Sequence, residues 1–239
     1  MIVFSDRIKQ KRFNNGVRPR IRKHSQEYRF LATLQYFYSD RFKSFIVDEI
    51  PDLQDRDNSV GIDVTIASSE DDMEAASLFS SLRGKTKEEA ERIRGIIEHL
   101  HYSIIDRPFK ILDAPLLTEK DEKRYFKDAV VKKLEKLKSY REKFNKVGLA
   151  IIILDGPTTE TEKQLVSYLK EFEKDCFKDH YDFYYILCKR FLLYYDTLNN
   201  IVEKKIISTT ESRCLSIIGR MTAEHELSMS SVEWTGRDN

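Results

Sequence analysis

The sequence predicts an α/β protein, because segments with strand patterns alternate along the chain with segments that have helical periodicity. Two strand-like segments carry most of this prediction. Residues 60–67 alternate aliphatic with polar or small side chains, which is the two-residue period of a strand. Residues 149–154 are continuously aliphatic and precede Asp-Gly-Pro, a pattern typical of a strand buried on both faces of a sheet.

Size and composition favour one soluble domain. The chain has 239 residues, of which 41% are hydrophobic and 34% charged, so it can bury a substantial core without disulfides. No stretch is apolar for long enough to span a bilayer, so we expect no membrane partner. The three cysteines are scattered and the amino terminus lacks the pattern of a secretory signal, which predicts a cytoplasmic protein. We predict a domain over residues 24–221.

Basic residues are concentrated at the amino terminus, although the whole chain is balanced at 41 basic and 40 acidic residues. Positions 7–23 contain only basic residues among the charged types, a footprint that suits phosphate groups. The alternative is an ordinary solvated chain end. We predict a basic arm over residues 1–23, with nucleic-acid contacts from Arg18, Arg20, Arg22 and Lys23.

A first helix is predicted over residues 25–42, with Ser25 as its N-cap. Glu27 precedes the apolar residues Phe30, Leu31 and Leu34 by three, four and seven positions, which places it on the buried stripe. Two interpretations remain open for this carboxylate. It has a functional partner in the interior, or it is a first-turn acid stabilised by the helix dipole.

Three extended segments follow, at residues 43–50, 53–59 and 60–67, with Pro51 ending the first. In the third, Asp63 projects from the face opposite Ile62, Val64 and Ile66. Asp52 comes directly after Pro51, and adjacent strands can bring these two aspartates together. Asp52 and Asp63 together can hold a divalent cation, although each can instead cap a turn.

Helices are predicted next over residues 68–82, 86–100 and 118–146, the last with a buried stripe and an outer face of Lys and Arg. We treat residues 84–146 as a helical insertion. A helix capped by Thr159 follows the buried strand, and residues 183–195 supply one long strand or two. Residues 201–218 are helix or strand, and residues 222–239 are predicted to be a poorly ordered polar tail.

This order of elements, with Pro51-Asp52 and with Asp63-Val64-Thr65 eleven positions later, resembles the core of the PD-(D/E)XK nuclease superfamily. The resemblance implies a mixed central sheet flanked by helices, with a restriction-endonuclease-like core. It also implies Mg²⁺ or Mn²⁺ bound by Asp52, Asp63 and the Val64 carbonyl, with Glu27 in the place of the helix glutamate. The family's lysine is absent, because Thr65 stands at its position.

The missing lysine leaves two functions open. A threonine can orient a water molecule but supplies no positive charge, and the same holds for Gln54, which shares a strand face with Asp52. A cation from elsewhere is therefore required, and Lys43 and Lys189 are the candidates. One prediction is a magnesium-dependent endonuclease acting on nucleic acid, DNA rather than RNA. The alternative is an inactive protein of the same fold that binds nucleic acid, a protein partner or a second copy.

Overall fold

The computed structural model describes residues 19–82, 84–106, 110–113, 118–153, 162–176, 180–225, 227–232 and 234. Its central feature is a mixed seven-stranded sheet with helices on both faces, which confirms the predicted α/β class. No helix in these ranges is both long and apolar enough to cross a membrane.

The helices and strands have the following bounds. The helices are α1 Pro19–Phe37, α2 Ser39–Phe42, α3 Glu70–Ser81, α4 Lys87–His99, α5 Glu119–Arg141, α6 Glu162–Cys176 and α7 Thr209–Ala223. The strands are β1 Ile46–Val47, β2 Leu53–Asp55, β3 Val60–Ile66, β4 Ser103–Asp106, β5 Lys110–Asp113, β6 Lys146–Ile152, β7 Phe183–Leu187, β8 Phe191–Asp196 and β9 Ile201–Ile206. A single 3-10 turn follows at Met229–Ser231.

The large sheet has the strand order β1-β2-β3-β6-β7-β8-β9. Strands β3, β6 and β7 are parallel to one another, and the remaining pairs are antiparallel. The aliphatic strand β6 lies at the centre, as its sequence predicts, because a strand covered on both faces needs apolar side chains on both. The region predicted as one long strand or a pair forms two, β7 and β8, which join in a hairpin.

Alternation along β3 separates two environments. Ile62 and Val64 pack with α1 residues such as Phe30 and Leu34 on one face of the sheet. The opposite face packs on α5 and α6 through the odd-numbered residues of β6 and the buried stripe of α5. Asp63 points toward this second face, as predicted, but its strand is buried on both faces instead of being half-exposed.

The first helix differs from its prediction. It begins at Pro19 instead of after Ser25, so Ser25 lies inside the helix and is not its N-cap. Proline suits the first helical turn, where its missing N–H costs no hydrogen bond. Glu27 is consequently two turns into α1, and the interpretation as a first-turn acid is wrong. Helix α2 then occupies the end of the predicted helix.

The strand predicted at 43–50 is reduced to the two residues of β1, because the chain turns back after it and the Asp48 amide donates to the Asp52 carbonyl. The predicted helical insertion at 84–146 also differs. Strands β4 and β5 form a separate hairpin, which packs with α3 and α4 in a small satellite core. Helix α5 ends at Arg141 and covers the main sheet, so it belongs to the principal core.

The carboxyl-terminal region contains both β9 and α7, where the sequence left helix and strand open. The predicted polar tail starts too early at residue 222. Helix α7 runs to Ala223, and Leu227, Met229 and Trp234 pack with Tyr36 of α1. Residues 1–18 of the basic arm, the predicted cap Thr159 and residues 235–239 lie outside the described residues.

The parallel pairing of β6 with β7 leaves no room for a side chain at Gly148, which lies opposite Phe183. A Cβ atom at this position would overlap the buried ring of Phe183 on the neighbouring strand. We expect Gly148→Ala to lower the free energy of unfolding by about 1–3 kcal/mol, measured by urea denaturation. The control is Gly95→Ala in α4, where a Cβ meets no atom, and this change is expected to raise stability by about 0.5–1 kcal/mol. Equal effects of the two substitutions would contradict the packing argument.

Candidate functional site

Asp52 and Asp63 meet where the β2-β3 ladder ends. Leu53 pairs with Ile62, so the next position of the antiparallel register places Asp52 opposite Asp63. The Asp52 Oδ2 atom accepts a hydrogen bond of 2.8 Å from the Val64 amide. The predicted meeting of the two carboxylates on adjacent strands therefore has a direct geometric cause.

Both aspartates are buried, with 3% of Asp52 and 1% of Asp63 exposed to solvent. Burial, with the adjacent Asp63 carboxylate through its hydrogen bond and its like charge, raises the pKa of Asp52 to about 7. The Lys133 ammonium and the Val64 amide act in the opposite direction and favour the charged form of Asp52. Asp52 is therefore poised between its two protonation states near neutral pH.

The cation of the site is Lys133 on α5. Its Nζ atom lies 2.8 Å from Asp63 Oδ1 and 3.6 Å from Asp52 Oδ2. From the same helix, the Tyr140 hydroxyl donates to Asp63 Oδ2 at 3.0 Å. Burial, and then the neighbouring Asp63 carboxylate, raise the pKa of this tyrosine. The Tyr181 hydroxyl donates to the Lys133 carbonyl at 2.9 Å and fixes this turn of the helix.

The helical pattern predicts that the Lys and Arg residues of α5 lie on its outer face. For Lys133 this prediction is wrong, because its ammonium contacts the buried Asp63. Lys133 lies three positions after Val130, four before Leu137 and seven before Tyr140, all of which are buried. That spacing is the signal that could have identified it. The cations proposed from sequence, Lys43 and Lys189, are both exposed and contribute nothing to the cluster.

A cavity of about 810 Å³ opens over this cluster. Strand β2 pairs only with the first half of β3, so the edge of β3 from Val64 to Ile66 faces the cavity. Helices α1, α3 and α5 supply the other walls. The lining residues are Gln26, Glu27, Val64, Thr65, Ile66, Ser68, Ser69, Glu70, Met73, Arg124, Tyr125, Asp128, Ala129, Lys132 and Lys133.

Two of the predicted site residues, Glu27 and Thr65, line this cavity without joining the aspartate cluster. Glu27 is buried and pairs with His24 Nδ1 at 2.9 Å. It extends from α1, which packs on the opposite face of the sheet from Asp63. Within the described ranges, no group of three or more His, Cys, Asp and Glu side chains is arranged to hold a metal ion.

Gln54 is not brought to the site. Its Nε2 atom donates to the Pro51 carbonyl at 3.0 Å, and its Oε1 atom accepts from Arg56 Nε at 3.2 Å. The side chain lines a different cavity of about 440 Å³, beside Lys143 and Phe144. Both polar atoms of Gln54 are thus engaged in stabilising the turn around Pro51, and the water-orienting role predicted from sequence has no geometric basis here.

The predicted nucleic-acid contacts of the basic arm stay predictions. Arg18 lies outside the described residues, and for Arg20, Arg22 and Lys23 the structure describes only the helical backbone.

Asp52, Asp63 and Val64 carry oxygen atoms of the type that Mg²⁺ or Mn²⁺ takes, while Lys133, Tyr140 and the Val64 amide bond the two carboxylates in this structure. The Ser59 carbonyl and the Ala67 amide bond to β6, so the backbone groups of odd-numbered residues of β3 face that strand. Val64 is even-numbered, so its backbone amide and carbonyl face away from β6 and toward Asp52. The Val64 amide donates a hydrogen bond to Asp52. Two carboxylates and the Val64 carbonyl are the hard oxygen ligands that Mg²⁺ takes, with water completing its coordination.

Comparison with known proteins identifies no family: no protein-family model, curated protein or solved structure matches the chain.

The first prediction of the site concerns charge compensation by Lys133. Replacement by Met keeps most of the apolar stem but leaves two buried carboxylates without their ammonium partner. We expect Lys133→Met to lower the free energy of unfolding by about 3 kcal/mol in urea denaturation at pH 8. Adding Asp63→Asn should restore part of this loss. Lys136→Met, an exposed change on the same helix, should stay within about 0.5 kcal/mol of wild type. Additive effects of Lys133→Met and Asp63→Asn would contradict the coupling.

The second prediction concerns the pH dependence of stability. Because the pKa of Asp52 is raised in the folded state, the folded chain binds more protons than the unfolded chain between the ordinary Asp value and about pH 7. The stability of wild type relative to Asp52→Asn is therefore expected to fall as pH rises from 5 to 7, by at most about 1.4 kcal/mol per pH unit. It should level off above pH 8. Urea denaturation of both proteins across pH 5–8 measures this, and a constant difference would contradict it.

Proposed function

We propose that this chain hydrolyses phosphodiester bonds in nucleic acid with the help of Mg²⁺ or Mn²⁺, on a restriction-endonuclease-like core. The observation that carries this proposal is the contact of Lys133 with both Asp52 and Asp63 beneath an open cavity. A lysine from α5 supplies the positive charge that Thr65 cannot. The departure from the family pattern at position 65 is then compensated from a different element.

The roles of the residues follow from their positions. Asp52, Asp63 and the Val64 carbonyl would hold the metal, and a bound metal would supply polarisation of a phosphate group and a lower pKa for a coordinated water. The Lys133 ammonium stabilises the negative charge that develops on the phosphate. Tyr140 positions Asp63 through its hydrogen bond. Thr65, on the cavity wall, orients water.

Nucleic acid is the substrate class that the cavity wall favours. Arg124 and Lys132 extend from α5 at the cavity, and both are exposed to solvent. Lys132 makes no ion pair with any residue that the structure describes, so its charge is available to a phosphate. The basic residues of the arm, Arg18 to Lys23, would add further phosphate contacts, and we propose DNA before RNA.

A second candidate is a protein that binds nucleic acid, a protein partner or another copy of itself without cleaving. One observation favours it. The Lys133 ammonium already forms an ion pair with the aspartates, and the Tyr140 hydroxyl and the Val64 amide occupy two further carboxylate positions. Both carboxylates therefore have polar partners from the chain itself.

Cleavage assays separate the two candidates. We expect wild-type protein to cut DNA or RNA only when Mg²⁺ or Mn²⁺ is present. Asp63→Asn should abolish cleavage, and Lys133→Met should lower the rate by at least about 10²-fold, because each removes charge stabilisation at the reacting phosphate. Lys136→Met should retain the wild-type rate.

A double substitution tests whether Lys133 takes the place of the strand lysine that Thr65 replaces. If Lys133 replaces the strand lysine, adding Thr65→Lys to Lys133→Met should recover part of the lost rate. Metal-independent products, or product yields equal to those of an Asp63→Asn preparation, would reject hydrolysis. Retained nucleic-acid binding with no cleavage would establish the second candidate.

A further inference from the structure

The cavity is small relative to a nucleic-acid duplex. A sphere of its 810 Å³ volume is about 12 Å across. The two grooves of a B-DNA duplex are about 8.5 Å and 7.5 Å deep, so the duplex is at least about 16 Å across and wider than this sphere. A substrate that fills the cavity is therefore narrower than a paired double strand.

The width of the substrate matters because both aspartates are buried. Asp52 and Asp63 are at most 3% exposed and are not among the described lining residues, whereas Lys133, which contacts both, lines the cavity. A phosphate that reaches this cluster through the cavity passes side chains of α3 and α5, which line it as well. In a duplex the complementary strand accompanies that phosphate and needs additional room.

The charges on the wall lead to the same conclusion. Three cations, Arg124, Lys132 and Lys133, are matched by three acids, Glu27, Glu70 and Asp128. A surface that tracks both backbones of a duplex needs an excess of positive charge, because duplex DNA carries one negative charge per about 1.7 Å of its axis. The part of the lining that the structure describes has no such excess. The side chains that can add binding energy without net charge are the aromatic and apolar ones.

Tyr125 is the aromatic side chain of the lining. It is half-buried, and the Arg124 guanidinium lies 5.0 Å from its ring centroid and donates to its hydroxyl at 3.2 Å. Met73, 47% exposed, adds an apolar surface from α3. An aromatic ring beside an arginine can stack on an unpaired base. In a duplex the neighbouring bases already cover both faces of each base.

We propose that the substrate is an unpaired segment of nucleic acid, a single strand or a single-stranded stretch within a duplex, with one base stacked on Tyr125. The adjoining phosphate then reaches Lys133 and the aspartates. The position of the cut rests on the proposed hydrolysis, whereas the preference for unpaired strands concerns binding and can be tested separately.

Binding is measured with wild-type protein in the presence of a chelator, by fluorescence anisotropy of a labelled 20-nucleotide strand and of the same strand in a blunt duplex. The single strand is expected to bind at least about tenfold more tightly. Tyr125→Leu should weaken single-strand binding about tenfold, while Tyr125→Phe, which keeps the ring, and Lys136→Met, which lies outside the cavity, should bind like wild type. Equal or tighter binding of the duplex, or equal binding by Tyr125→Leu and Tyr125→Phe, would overturn the proposal.

Cleavage distinguishes this inference from the proposed function. With Mg²⁺ and a duplex that contains an unpaired stretch, we expect cuts within the unpaired stretch only. Cuts at equal rates in fully paired DNA would overturn the inference and leave hydrolysis in place. Preferential single-strand binding without any cut would support the inference and reject hydrolysis.

Discussion

Two buried carboxylates in adjacent strand positions impose the principal electrostatic constraint on this structure. Asp52 and Asp63 repel each other in an environment with little water, and an unpaired charge there would cost several kcal/mol. The protein compensates with the Lys133 ammonium, the Tyr140 hydroxyl and the Val64 amide. Two of these partners come from α5 and the third from β3, so the packing of α5 on the sheet and the register of β2 with β3 are both required.

Helix α5 meets this requirement through its sequence. Thr118 and Asp121 form a capping box that fixes where the helix starts, and therefore which side chains face the sheet. The face of α5 that packs on the sheet is a buried stripe, formed by Phe126, Val130 and Leu137. Lys133 lies on that stripe, where its stem packs among apolar neighbours and its ammonium reaches the aspartates. The apolar contacts of the helix thus determine where the charge of the site lies.

Sequence alone predicts the parts of this site that depend on local periodicity. The direction of Asp63 follows from the two-residue period of β3. The helix starts predicted near residues 68, 86 and 118 coincide with capping boxes at Ser69, Thr86 and Thr118. The missed parts depend on contacts between distant residues. Lys133 is 70 positions from Asp63, and one lysine among many on α5 carries no local mark of its partner. Gln54 was misplaced for a different reason, since local hydrogen bonds with Pro51 and Arg56 engage its side chain.

The charge of the cluster bears on whether it also holds a metal. With both aspartates ionised and Lys133 protonated, the cluster carries one net negative charge. Burial and then the neighbouring Asp63 raise the pKa of Asp52, and the Lys133 ammonium does not fully offset them. A divalent cation would change the net charge to plus one, which attracts a phosphodiester. A second lysine in place of the metal would neutralise the aspartates but provide no open coordination position for water. Under the proposed function, Lys133 and the metal are therefore complementary, because neither alone gives a buried site that is both stable and attractive to phosphate.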